Sequence, residues 1–108
     1  MNIDLPAAVE RYVRADSSGN EELLGQCFTR DAVVTDEGRT VSGLDAIQTW
    51  KREAKAKYRY QMRPIAASRV GDSVEMTARL TGDFPGSPVE LTYTFVLEGD
   101  RIASLEIH

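Results

Sequence analysis

The chain has 108 residues, 42% of them hydrophobic, with 13 lysines and arginines against 17 aspartates and glutamates, a formal net charge of −4. That length suits one globular domain, 1–108, able to bury roughly 65% of its unfolded surface. The acidic balance argues against a nucleic-acid partner, which needs a cationic surface, and the lone Cys27 excludes an intrachain disulfide and a cysteine-based zinc site.

The first segment, Met1 to Pro6, is neither basic nor apolar, and no later run approaches the roughly 18 apolar residues of a membrane span. The expectation is therefore a cytoplasmic protein with no membrane partner. Leu5, Ala8, Val9, Tyr12 and Val13 recur at helical spacing, which predicts a helix from Leu5 to Ala15 with Asp4 as N-cap and Pro6 in the first turn. Ser17-Ser18-Gly19 breaks it. Asn20 then caps a second helix with Glu21 and Glu22 in its first turn and Leu23, Leu24, Cys27 and Phe28 on its apolar face.

Ala32 to Thr35 reads as a short strand, and Asp36-Glu37-Gly38-Arg39 as a tight turn into Thr40-Val41. Ser42 and Asp45 match a capping-box spacing at the start of a third helix. That helix runs to about Lys57 and turns Leu44, Ile47, Trp50 and Ala54 inward. Four strands follow, Tyr58 to Val70, Ser73 to Thr81, Val89 to Leu97 and Arg101 to Ile107, with alternating apolar positions that give each one buried face. An antiparallel sheet covered by helices is expected.

This order resembles the nuclear transport factor two-like superfamily, including SnoaL-like polyketide cyclases and ketosteroid isomerase. The resemblance rests on Glu10-Arg11-Tyr12-Val13, Cys27 to Val33, Gly43-Leu44-Asp45-Ala46-Ile47 and the segment Gly82 to Pro88. It implies an α+β fold in the form of a cone-shaped half-barrel, a curved antiparallel sheet wrapped around three N-terminal helices with an interior pocket, assembled as a homodimer. Function in such a family follows from the residues in the cavity and not from the fold.

Carried onto this chain, the resemblance places Asp36 as a catalytic base and Tyr12 as an oxyanion donor, with Tyr93 where an isomerase carries a second acid. A carboxylate base and a hydroxyl donor suit proton abstraction beside a carbonyl, so an isomerase, cyclase or dehydratase-like activity on a small, flat, apolar molecule is one expectation. No metal or organic cofactor is expected. Trp50, Tyr60, Met62, Met76 and Phe95 are candidate ligand-binding residues in an aromatic, thioether-rich pocket.

Each residue has an ordinary alternative. Asp36 opens an Asp-x-Gly turn and could bond its own backbone; Tyr12 and the pocket candidates fall on stripes that suit plain core packing. Lys51, Arg52, Lys55, Lys57, Arg59 and Arg63 read as a solvated basic face. The only histidine, His108, reads as non-catalytic, which removes the histidine–aspartate pairing of the cyclase and dehydratase branches. A non-catalytic ligand-binding or dimerisation module is the rival expectation.

Overall fold

The computed structural model describes residues 3–108, so the reading of the first segment lies partly outside the described residues. The elements run α1 (Ala7–Ser18), α2 (Glu21–Cys27), β1 (Phe28–Asp36), β2 (Arg39–Ser42), α3 (Leu44–Tyr58), β3 (Gln61–Val70), β4 (Ser73–Thr81), β5 (Val89–Glu98) and β6 (Arg101–Ile107). No helix among the described residues is long and apolar enough to cross a membrane.

The helix boundaries follow local chemistry, with corrections: Ser17 and Ser18 belong to α1 rather than breaking it, and Phe28, expected on the face of α2, opens β1. Pro6 stands before α1 as its N-cap rather than inside the first turn, and its carbonyl accepts the first helical bond from the Glu10 N–H at 2.9 Å. Gly19, left-handed at φ 67°, ends the helix. Asn20 caps α2 as expected, its side chain accepting the Leu23 N–H at 3.0 Å. The capping box at α3 does not form: Ser42 ends β2, and Gly43, at φ 88°, takes the N-cap without a side-chain bond.

The six strands form one sheet in the order β2-β1-β6-β5-β4-β3. The expected cone-shaped half-barrel is corrected here, because the sheet is open, with β2 and β3 as separate edges, and is not strongly curled. The four-residue β2 is too short to extend the sheet around three helices. The sheet is also mixed rather than antiparallel, since β1 pairs with β6 in parallel.

The alternation predicted for β4 holds residue by residue: Val74, Met76, Ala78 and Leu80 are buried, with Glu75, Thr77 and Arg79 facing away. The helices pack on that buried face. The core centres on Tyr12, whose ring meets Phe28, Phe95 and Tyr93 at centroid distances of 6.0, 5.5 and 6.3 Å.

Candidate functional site

Between α3 and the β1–β6–β5–β4 part of the sheet lies a cavity of about 220 Å³. Two carboxylates, Asp36 and Glu37, and five rings, Trp50, Tyr58, Tyr60, Phe84 and Tyr93, line it; aliphatic side chains complete the wall. Sheet register brings the polar ends together. Asp36 and Tyr93 both pair with Ile107, from β1 and β5 on either side of β6, so they share one row and one face of the sheet.

Asp36 ends β1 because the chain then reverses through Glu37 and Gly38, both at positive φ, 54° and 73°, the pattern of a two-residue hairpin turn. Its Oδ2 accepts the Trp50 Nε1–H at 3.0 Å. Burial raises the Asp36 pKa above the ordinary carboxylate value, opposed by the Trp50 bond and by the Glu37 backbone N–H. The residue thus serves its own turn and faces the cavity at once.

Tyr93 is 1% exposed, and no hydrogen bond from its hydroxyl is made among the described residues. Burial, and then the Asp16 and Asp36 carboxylates, push its pKa well up, so it stays a neutral donor. Glu37, although exposed, fixes another wall: its Oε1 accepts the Tyr58 hydroxyl at 2.7 Å, and the Tyr58 ring meets Phe84 edge-on at 5.8 Å.

Of the eight residues singled out in the sequence, the structure brings Asp36, Tyr93, Trp50 and Tyr60 to the cavity. Tyr12, Met62, Met76 and Phe95 are buried elsewhere in the core and do not line it. The Tyr12 hydroxyl instead accepts a bond from Lys51 Nζ at 2.9 Å.

Lys51 is the residue that sequence reasoning misplaced. It is 6% exposed rather than part of a solvated face, and its ammonium donates to Tyr12 Oη, to Asp16 Oδ1 at 2.6 Å and to Tyr60 Oη at 2.8 Å. All three of its protons are therefore engaged. Tyr60 in turn donates to Asp16 Oδ1 at 2.8 Å. Burial pulls the Lys51 pKa down, opposed by Asp16, and pushes those of Tyr12 and Tyr60 up. Asp16 Oδ2 has no hydrogen-bond partner among the described residues and lies 3.6 Å from Lys55 Nζ. A signal was present: Asp16 follows Tyr12, and Lys51 follows Ile47, at the i,i+4 spacing of the two inward helix faces.

Cys27 is buried, donates to the Leu23 carbonyl at 3.3 Å, and has its thiol pushed up to about 11 by burial, which makes it packing and not a nucleophile. Among the described residues, no group of three or more His, Cys, Asp or Glu side chains is placed to hold a metal ion.

An open α+β sheet with a partly aromatic pocket under its third helix defines a small-molecule pocket domain. The chain belongs to the SnoaL-like domain family, whose sequence model matches residues 9–105, within the nuclear transport factor two-like superfamily. It is similar, at 43% identity and a TM-score of 0.95 over 97% of this chain and 96% of the other, to a Sinorhizobium meliloti protein provisionally named a polyketide cyclase.

A Catenulispora acidiphila protein of ketosteroid isomerase-like fold, solved with trimethylamine, is 25% identical with a TM-score of 0.86 over 97% of this chain and 86% of that one. A nuclear transport factor two-like protein from Cytophaga hutchinsonii shares the fold at 13% identity, with a TM-score of 0.80 over 100% and 91% of the two chains. No match is found among curated proteins.

Proposed function

We propose that the cavity is a small-molecule site in which Asp36 takes a proton from the carbon beside a carbonyl of a small, flat, apolar compound and Tyr93 donates to the enolate-like oxygen. The observation that supports this is the shared sheet row, which turns toward one cavity a half-buried carboxylate and a hydroxyl that has no partner among the described residues. Raising the Asp36 pKa strengthens it as a base while Trp50 keeps one oxygen fixed. Tyr12 contributes through its packing on Tyr93 and not through its hydroxyl. The similar protein named as a polyketide cyclase is consistent with carbonyl chemistry.

Titration with a fused-ring phenol, a mimic of the enolate, tests the reading. Tight binding that weakens roughly tenfold in Tyr93→Phe, about 1.4 kcal/mol, is expected. Absence of binding, or equal affinity in Tyr93→Phe, refutes the donor role.

Binding without turnover is the second reading, favoured by the trimethylamine held by the Catenulispora relative, since that amine has no carbonyl to enolise. On this reading Asp36 is a binding carboxylate, and Asp36→Asn changes affinity with no catalytic consequence. Under either reading the protein acts as a homodimer joined through the outer face of the sheet. Sedimentation equilibrium checks this, and a monomer at all concentrations refutes it.

A further inference from the structure

The cavity wall carries charge of one sign only. Asp36 and Glu37 are its ionisable carboxylates, and among the described residues no lysine, arginine or histidine lines it; Arg39 and Lys57 line the adjoining space outside. A neutral apolar ligand entering this space would strip water from Asp36 and return only the Trp50 bond that is already made. A cation would replace that water with an ion pair.

The rings suit the same occupant. Trp50, Tyr60 and Tyr58 already attract ammonium groups: Lys51, Lys55 and Lys57 stand over them at 4.5, 4.0 and 4.9 Å from the ring centroids. None of these lysines lines the cavity. Lys51 is paired with Asp16 at 2.6 Å, Lys55 lies 3.6 Å from Asp16 Oδ2, and Lys57 is exposed; of the three, Lys51 still acts on the Asp36 carboxylate from behind the wall. The Tyr58 hydroxyl is anchored to Glu37, which holds one aromatic wall beside a carboxylate before any ligand arrives. A volume of about 220 Å³ admits a compact group with several methyls.

We infer that the cavity selects a small alkylated ammonium ion over an uncharged molecule of the same shape, with Asp36 as its counter-ion and the rings of Trp50, Tyr58 and Phe84 around its methyl groups. This rests on the reading of the cavity as a ligand site and deepens its binding form.

Calorimetric titration with choline and with its uncharged carbon isostere, 3,3-dimethylbutan-1-ol, at matched ionic strength tests the inference. Choline is expected to bind at least tenfold more tightly than the isostere, to compete with the fused-ring phenol, and to lose that preference in Asp36→Asn. Circular dichroism of the variant shows whether its fold is retained. Glu37→Gln, at an exposed position, gives a second test and is expected to weaken choline several-fold with the isostere unchanged. Equal binding of the two probes, tighter binding of the isostere, or choline binding that is indifferent to both variants overturns the inference. If the phenol binds and choline does not, cation selection fails while the ligand site stands; if none of the three binds, the ligand site fails as well.

Discussion

The Lys51 ammonium of α3 meets the Asp16 carboxylate of α1 at 2.6 Å, with the Asp16 side chain wholly buried and that of Lys51 nearly so. Removing water from both ions is costly, and two tyrosine hydroxyls offset part of that cost by hydrogen bonding to the pair, while Asp16 Oδ2 has, among the described residues, only the Lys55 ammonium at 3.6 Å. Lys51→Met leaves a buried carboxylate without its main partner and is expected to cost roughly 3–5 kcal/mol in urea unfolding. The double variant Asp16→Leu with Lys51→Met is expected to cost less than the sum of the two singles. A loss below about 1 kcal/mol for Lys51→Met would show that the pair contributes little.

Asp36 should make stability depend on pH in the opposite sense to a salt-bridged carboxylate. Its folded pKa is raised above the ordinary value of 3.8, so its contribution is fully present below the unfolded pKa and is lost as pH rises through the folded one. At pH 7 the ionised group therefore works against the fold. Asp36→Asn is expected to have a higher Tm than the parent at pH 7, with the gap closing as the pH falls toward 4. A lower Tm for the variant at pH 7 would mean that the Trp50 and Glu37 hydrogen bonds outweigh burial.

Gly82 is required by its neighbours. A Cβ there would lie 2.7 Å from the Tyr58 carbonyl oxygen, 2.8 Å from Tyr60 Cα and 2.9 Å from the Arg59 carbonyl oxygen, all backbone atoms that cannot step aside. Gly82→Ala is expected to lose roughly 1–3 kcal/mol and to weaken any cavity ligand, because Tyr58 and Tyr60 flank that corner. Gly25→Ala in α2 is the control. Its new Cβ meets only the end of the Gln48 side chain, at 3.1 Å, and the helix gains from alanine, so a change within about 0.5 kcal/mol is expected. Similar losses for the two variants would remove the steric argument.

Most elements were legible because their signals are local. The spans Ser73–Thr81 and Arg101–Ile107 match the predicted strands to the residue, since alternation and flanking turns define both. Tyr58 misled: its aromatic ring suggested a strand, whereas it closes α3 before Arg59 turns left-handed at φ 47°. The parallel pairing of β1 with β6 joins residues some seventy positions apart and has no turn to announce it. The site divided along the same line. Asp36 was marked by its turn and Trp50 by its helix stripe. Lys51 was grouped with the lysines and arginines around it, although its spacing from Ile47 put it on the inward face, where Asp16 receives it.

The parallel joint has a consequence for how the chain is assembled on the ribosome. In the sheet, β6 separates β1–β2 from β5–β4–β3, yet it is the last strand made. Until it emerges, the edge of β1 that carries Asp36 and the edge of β5 that carries Tyr93 both stand unpaired, as templates for any passing strand. Nascent chains stalled before residue 101 should therefore be the form most exposed to misassembly, and the cavity comes into being only with the final seven-residue strand.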